Sequence, residues 1–234
     1  MASDESLRVL FEDARLLVVA KPSGVAVHSG ASASRDTIVS RLVAAGRPPH
    51  VAHRLDAATT GALVVAKDRL VARELAAAFE RGAIEKRYLA WVRGVPPARA
   101  TVDHPIPKDE GGSRVPAVTD VASVGTIAAP FSTLREKRYT LVLARPRTGR
   151  FHQIRRHLKH LGCPLVGDAN YGKSEHNRFA RDHLGLGRLG LHAFRVSLAE
   201  VGGPAWIEAP LPEDMAAPFA AVGVTMQPLV DPWS

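Results

Sequence analysis

The sequence contains a single cysteine, Cys163, among its 234 residues. One thiol excludes an intrachain disulfide and a zinc site built from several cysteines, and it fits a reducing compartment. No run of about eighteen apolar residues occurs, so no membrane-spanning helix is expected. Residues 1–6 are polar and acidic and lack the apolar core of a secretory signal peptide. We therefore expect a cytoplasmic protein.

The composition is that of an ordinary globular protein with a positive charge. Apolar residues make up 46% and charged residues 23%, which argues against a disordered chain or a coiled coil. The 31 Lys and Arg residues exceed the 23 Asp and Glu residues by eight, so a polyanion is a natural partner. A basic enzyme can carry this balance without binding nucleic acid, so charge alone does not decide.

No internal repeat is visible, and we expect a monomer with one catalytic domain over residues 9–226. A lead-in over residues 1–8 and a tail over residues 227–234 flank it. Continuous apolar runs predict strands, and apolar residues at three- and four-residue spacing predict helices. The predicted strands cover residues 16–20, 25–28, 62–66, 86–94, 139–144, 191–198 and 206–209, and the predicted helices cover 37–45, 70–79 and 151–161.

The helix caps and the middle of the chain complete this prediction. Asp36 and Asp68 stand directly before two of the predicted helices, where an aspartate side chain can accept a hydrogen bond from the first turn. Residues 95–138 hold much of the proline and glycine between the motifs, which predicts loops and short strands.

Asp56 stands between a basic pair, His53-Arg54, and a Thr-Gly turn that leads into an apolar run. A loop that feeds a buried strand is a rigid support for a nucleophile or a base. An aspartate before threonine and glycine is also typical of a helix N-cap or an Asx turn. Tyr88, at the head of another predicted strand, has an equally ordinary alternative, since tyrosine favours strands.

The predicted helix over residues 151–161 follows a very basic break at residues 145–150 and carries further cations. Four interpretations stay open for it. The helix could hold a metal through His157 and His160, present a solvated basic face, bind phosphates, or turn one arginine inward to pair with Asp56. The cations that adjoin on its polar side are His152, Arg155, Arg156 and Lys159.

Four motifs, in order, resemble the RluA family of pseudouridine synthases over about residues 8–212. They are Lys21-Pro22-Ser23-Gly24, the stretch from His53 to Gly61, Lys86-Arg87-Tyr88, and the stretch from Arg147 to Arg155, followed by Leu191-His192-Ala193. The resemblance implies an α+β pseudouridine synthase fold, a single domain with a mixed, largely antiparallel central sheet flanked by helices and loops. It implies no metal and no organic cofactor. Thr60 departs from the family, which usually has serine there.

The resemblance also implies roles for individual residues. Asp56 matches the catalytic aspartate, Tyr88 the tyrosine that stacks on the target uracil, and Arg155 the basic residue that pairs with the aspartate. Arg54 matches the arginine that enters the RNA stack as the base leaves. Whether Asp56 attacks C1′ or removes a sugar proton stays open. The remaining residues expected to bind RNA are Lys21, His53, Arg150, His152, Arg156 and Lys159.

The expected substrate is RNA, and the target in it is a uridine. The basic helix and residues 177–189 resemble the tRNA-modifying branch typified by TruC, whose target lies in the T-stem, with ribosomal RNA as the alternative. A catalytically silent RNA-binding or chaperone protein is a second alternative. A glycosidase-like hydrolase would need a second carboxylate close to Asp56, and none follows before Asp68.

Overall fold

The computed structural model describes residues 7–29, 36–108, 112–130, 132–221, 223 and 232–233. The chain divides into two compact units. Unit 1 comprises residues 1–86 and 193–210, and unit 2 comprises residues 87–192 and 211–234. Both units contain antiparallel strands and helices, which confirms the predicted α+β class.

Two buried apolar strands organise unit 1. Strand β1 (Val9–Glu12) pairs antiparallel with β2 (Leu16–Lys21), which pairs antiparallel with β3 (Thr60–Ala66). Every residue of β3 is buried, as expected for a strand covered on both faces. Lys21 lies opposite Gly61 in this ladder, so the turn after β2 and the loop before β3 lie at the same end of the strands.

The two helices of unit 1 begin with side-chain caps. Helix α2 (Arg69–Glu80) starts at Asp68, whose carboxylate accepts from the Val71 N–H at 2.9 Å, as predicted. Helix α1 (Ile38–Ala44) is capped by Thr37 in a reciprocal pair with Ser40. The predicted cap at Asp36 is therefore wrong, because that carboxylate binds the Arg41 guanidinium instead.

The prediction of a strand over residues 25–28 is wrong. Only Ala26 forms a single bridge, to Thr37, and the Val25 carbonyl accepts from the Lys21 ammonium. The predicted C-terminal hairpin is confirmed, since β10 (Leu191–Val196) and β11 (Ile207–Glu208) pair antiparallel. Side chains from this hairpin join those of β2, β3 and α2 in one apolar core.

Unit 2 contains an antiparallel sheet in the order β4-β9-β8-β5. The strands are β4 (Lys86–Arg93), β5 (Arg99–Asp103), β8 (Val118–Ala128) and β9 (Arg138–Pro146), with β6 (Ile106–Pro107) and β7 (Arg114–Val115) as a separate pair. The expectation of only loops and short strands in residues 95–138 is wrong for β8, which is 11 residues long. Its polar residues Thr119 and Asp120 are buried but hydrogen-bonded, so they do not interrupt the strand.

Three helices complete unit 2. They are α3 (Gln153–His160), α4 (Ser174–His183) and α5 (Glu213–Ala220), of which only α3 was predicted. Helix α4 buries just His176 and Ala180, so it leaves little apolar periodicity in the sequence. No helix in the described part of the chain is both long and apolar enough to span a membrane. The predicted tail lies outside the described residues except at 232–233.

Candidate active site

Asp56 lies half-buried in the loop that precedes β3. Its carbonyl oxygen accepts a hydrogen bond from the Thr59 N–H at 3.0 Å, which closes a tight turn, and the strand begins at Thr60. The helix N-cap interpretation is therefore wrong, because a strand and not a helix follows the aspartate. The backbone on the C-terminal side of Asp56 is anchored in the most buried strand of unit 1.

Lys21 holds this loop through hydrogen bonds to backbone carbonyl oxygens. Its side chain is buried, and its ammonium donates to the carbonyl oxygens of Pro22, Val25 and Ala57 at 2.8, 2.7 and 2.8 Å. The Ala57 oxygen also accepts from the Gly24 N–H at 2.9 Å. The turn after β2 and the residue next to Asp56 are thus tied together by one buried cation.

The charge of Lys21 is coupled to Asp56. Burial lowers the pKa of the lysine to about 8, although the negative charge of Asp56 acts in the opposite direction. An ammonium has three hydrogens, and three backbone carbonyls receive them. This geometry favours a role for Lys21 in holding the Asp56 loop, whereas its predicted contact with RNA stays a prediction.

His53 and Arg54 differ in their surroundings although they are neighbours in the chain. The His53 ring stacks on Phe79 with 4.2 Å between ring centroids, and its Nε2 accepts from the Val64 N–H at 3.0 Å. Burial and the positive charge of Lys86 lower the pKa of His53 to about 3, so the ring is neutral near pH 7. Arg54 is exposed. Of this basic pair, the arginine is the residue that can bring a positive charge to RNA.

Gly61 is required by the backbone around the site. Its φ of 112° is a conformation that side chains rarely allow, and an added Cβ would lie 2.2 Å from the carbonyl oxygen of Ala193. Thr59 and Thr60, which precede it, are both buried. The threonine at position 60, where the family usually has serine, is accommodated in the first residue of β3.

In unit 2, Gln153 fixes the start of α3. Its amide oxygen accepts from the Thr148 hydroxyl at 2.6 Å and from the Arg150 N–H at 3.0 Å. Its amide nitrogen donates to the Val118 carbonyl at 2.9 Å and to the Thr119 hydroxyl at 3.0 Å. The buried glutamine therefore joins the basic break before the helix to strand β8.

Arg155 turns inward from α3 and forms a two-point ion pair with Asp168. Its Nε and Nη2 each donate to one carboxylate oxygen at 2.8 Å, and both side chains are buried. The same carboxylate accepts from the backbone N–H groups of Asn170 and Tyr171. Burial acts to raise the pKa of Asp168, but these donors outweigh it and hold the pKa below its usual value. The predicted pairing of Arg155 with Asp56 stays a prediction.

The four predicted cations of α3 all contact Tyr171. Its hydroxyl lies 2.8 Å from Nε of Arg156, which donates to it, and 3.1 Å from Nδ1 of His152. Its ring centroid lies 5.2 Å from Cζ of Arg155 and 5.6 Å from Nζ of Lys159. We call Tyr171 with these four residues the α3 cation cluster.

The remaining histidines of α3 have contacts of their own. The ring nitrogens of His157 lie 2.8 Å from the Thr119 hydroxyl and 3.0 Å from the His104 carbonyl oxygen, and the His160 ring stacks on that of His104. Binding a metal would require His157 to give up these bonds. Within the ranges that the structure describes, no three His, Cys, Asp or Glu residues are grouped to hold a metal ion.

Two predicted site residues remain to be placed. Tyr88 is half-buried in β4 opposite Ala144, a position that an ordinary strand tyrosine would also occupy. Arg150 is exposed, with its Nε 3.4 Å from the Pro116 carbonyl oxygen. Both remain predicted site residues.

Sequence reasoning missed the residues that hold the arginines in place. Asp168 and Tyr171 lie in the glycine-rich residues 167–172, which were assigned no role from the sequence. Asp120, on β8, accepts hydrogen bonds from both Arg145 and Arg147. No local spacing links these carboxylates to their arginines, which lie 13 to 27 positions away. In the sequence, only its position directly after Gly167 marks Asp168, and no neighbouring glycine marks Asp120.

Comparisons with known proteins identify the family. The family model described as RNA pseudouridylate synthase matches residues 15–160. The chain therefore belongs to the RNA pseudouridylate synthase family, which confirms the predicted fold class and makes the protein an isomerase that acts on RNA.

Individual relatives agree. The tRNA pseudouridine synthase C of Salmonella typhimurium (strain LT2) is 38% identical over 224 residues, which cover 88% of this chain and 86% of that protein. The protein of the same name from Pasteurella multocida is 36% identical over 206 residues, covering 82% and 85%. The solved structure of Human RNA Pseudouridylate Synthase Domain Containing 1 superposes with a TM-score of 0.75 at 27% identity, covering 93% of this chain and 89% of that chain.

Proposed function

We propose that this protein converts a specific uridine of tRNA to pseudouridine and that Asp56 is the catalytic carboxylate. The observation that carries the substrate class is the similarity to proteins named tRNA pseudouridine synthase C, over more than four fifths of this chain and of each relative. The rigid Asp56 loop, fastened by Lys21 and by β3, supplies the fixed carboxylate that the chemistry needs.

The reaction breaks the bond from C1′ to N1 of the uridine, turns the uracil, and joins C1′ to C5. The C5 proton passes to solvent, and N1 ends with a proton, so atoms balance without an oxidant or a reductant. We propose that Asp56 acts either by attack on C1′ or by removal of a sugar proton. Both routes need a carboxylate held in a fixed orientation, which the hydrogen bond from Lys21 to the neighbouring Ala57 carbonyl supports.

The target base must leave the RNA helix before the carboxylate can act on its sugar. Unstacking and unpairing cost a few kcal/mol. We propose that Arg54, which is exposed, fills the gap in the stack and that Tyr88 stacks on the flipped uracil. Stacking on an aromatic ring contributes about 1–3 kcal/mol per base in single-strand binders, which offsets much of the cost. Arg155 is proposed to pair with the catalytic carboxylate.

The expected target lies in the T-stem of tRNA. The proposed contacts with the RNA backbone are Arg150, His152, Arg156, Lys159 and residues 177–189. Phosphate contacts of this kind give affinity and position but carry no base information. We further propose a monomer that works in the cytoplasm, where its RNA substrate is found.

The decisive experiment maps pseudouridines in total RNA from cells with and without the gene for this chain. The expected result is one lost site in the T-stem of tRNA. A lost site in ribosomal RNA would replace the substrate, and no lost site would leave the RNA-binding or chaperone alternative. Purified wild-type protein separates the last case, because an enzyme releases tritium from C5-labelled tRNA and a silent RNA-binding protein does not. The Asp56→Asn variant should bind tRNA like the wild type and release no tritium.

A further inference from the structure

Tyr171 contacts basic side chains through both its hydroxyl and its ring. The Nε–H of Arg156 donates to its hydroxyl oxygen at 2.8 Å, and Nδ1 of His152 lies 3.1 Å from the same oxygen. The Arg156 guanidinium is held at its other end by the Pro107 carbonyl oxygen at 2.7 Å. The phenol is thus the shared partner of His152, which directly precedes α3, and Arg156, which lies within it.

The hydroxyl of Tyr171 can serve both partners at once. A phenol has one hydrogen to donate and lone pairs to accept with. Its oxygen accepts from Nε of Arg156 and lies 3.1 Å from Nδ1 of His152, so one hydroxyl bridges the two side chains. Such a chain of hydrogen bonds strengthens each member through polarisation.

The backbone of His152 has an unfavourable conformation. Among the residues that the structure describes, it is the only one other than glycine with a positive φ, at 54°. For a residue with a side chain this region is unfavourable and persists only where neighbours impose it. The neighbours here are Phe151, whose ring stacks on the imidazole at 3.8 Å, and Tyr171.

We propose that Tyr171 is a positioning residue for RNA binding: its hydroxyl holds the Arg156 guanidinium and the His152 ring in fixed orientations for contact with RNA phosphates. Arg155 and Lys159 lie around the face of the same ring, within 5.6 Å of its centroid. A long cationic side chain loses rotamer freedom when it binds a phosphate, and holding it beforehand removes that cost. The inference rests on the proposed RNA substrate, and it assigns Tyr171 to binding and not to the chemical step.

Tyr171→Phe tests the hydroxyl alone, because it keeps the ring and its cation contacts. Tyr139→Phe is the matched control in the same unit: its hydroxyl also bonds a histidine, His176, at 3.0 Å, and both of these side chains are buried. The measurements are the dissociation constant for a labelled tRNA transcript, kcat for tritium release at saturating tRNA, and the melting temperature. Tyr171→Leu, which also removes the ring, should weaken binding further.

We expect Tyr171→Phe to weaken tRNA binding about tenfold, because Arg156 and His152 must then lose rotamer freedom when they bind RNA, with kcat within about twofold. Tyr139→Phe should lower the melting temperature and leave the dissociation constant unchanged. Wild-type affinity in Tyr171→Phe would overturn the proposal. A fall in kcat at unchanged affinity would also overturn it, because the tyrosine would then serve the chemical step.

The binding measurement keeps this inference separate from the proposed function. A wild-type protein that binds tRNA but releases no tritium would end the proposed activity, while the effect of Tyr171→Phe on affinity would still support the positioning role. A wild-type protein that binds no RNA would end both.

Discussion

The ammonium of Lys21 donates a hydrogen bond to the carbonyl oxygen of Ala57 at 2.8 Å, one residue beyond Asp56. Two motifs separated by about thirty residues in the sequence are therefore one structural piece, built on the pairing of Lys21 with Gly61. Lys21, which was predicted to bind RNA, already donates a hydrogen bond to the backbone next to the aspartate.

Replacing Lys21 with methionine should therefore cost stability and activity together. The carbonyl oxygens of Pro22 and Val25 would lose a buried donor, at about 1–3 kcal/mol for each group left without a partner. Lys67→Met is the matched control, because Lys67 makes a partly exposed ion pair with Glu12 that is worth less than about 1 kcal/mol. Urea unfolding measures both. Equal stability of the two variants would contradict the supporting role.

Two glycines near the site should respond very differently to alanine. A Cβ at Gly61 would meet the Ala193 backbone, so Gly61→Ala should cost more than about 4 kcal/mol and leave little folded protein. Gly24 also has a positive φ, 83°, but nothing lies within 4 Å of an added Cβ. Gly24→Ala should cost about 1–2 kcal/mol of backbone strain. Thermal unfolding and the yield of soluble protein compare them, and similar costs would show that strain and not contact dominates.

His53 should make the protein sensitive to mild acid. Its folded pKa is lowered to about 3, against about 6.5 in an unfolded chain. The unfolded chain therefore binds a proton first as pH falls, so the contribution of the neutral ring is complete above about pH 6.5 and declines toward pH 3. His53→Gln should flatten the fall of the free energy of unfolding in this window. His28→Gln removes an exposed imidazole in the same unit, and an identical pH profile for the two variants would refute the prediction.

Asp168→Asn, which removes one negative charge, should strongly lower the free energy of unfolding. It would leave the buried Arg155 charge without its carboxylate, which costs about 3–5 kcal/mol for pairs of this kind. Because the folded pKa of Asp168 is lowered, the stabilisation is present above about pH 3.9 and is lost as pH falls further.

The matched control for that substitution is Asp182→Asn, which breaks an exposed pair with Arg181 and should cost less than about 1 kcal/mol. Unfolding in urea at neutral pH gives both values. A cost for Asp168→Asn as small as that of the control would show that Arg155 finds another partner in the variant.

Apolar periodicity predicted the elements that bury apolar faces and failed where burial is polar. Strands β2, β3, β4 and β9 and helices α2 and α3 were visible because continuous or spaced apolar residues build them. Strand β8 was hidden because its buried threonine and aspartate are satisfied by Gln153 and Arg147, which lie far away in sequence. The same cause hid α4, whose buried residues are a histidine and an alanine.

The sequence predicted the reactive groups of the candidate site but not the residues that hold its side chains in place. Asp56, Tyr88 and Arg155 followed from ordered motifs, and their catalytic roles stay predictions. Asp168 and Tyr171 could not be found, because a salt bridge or a cation contact between distant segments leaves no spacing rule in one sequence. His53 shows the opposite case: its residue type suggested a cation, whereas burial and the charge of Lys86 lower its pKa to about 3.

Unit 1 is assembled from two separate stretches of chain, and this has a consequence for synthesis on the ribosome. Val196, Leu198, Ile207 and Ala209 complete the apolar core formed by β2, β3 and α2, but residues 87–192 are translated before them. At about 5–20 residues per second, the first 86 residues wait roughly 5–20 s for the strands that finish their core. During that interval the nascent chain exposes apolar surface that chaperones recognise, so a stalled or truncated message would yield an aggregation-prone fragment and no smaller working enzyme.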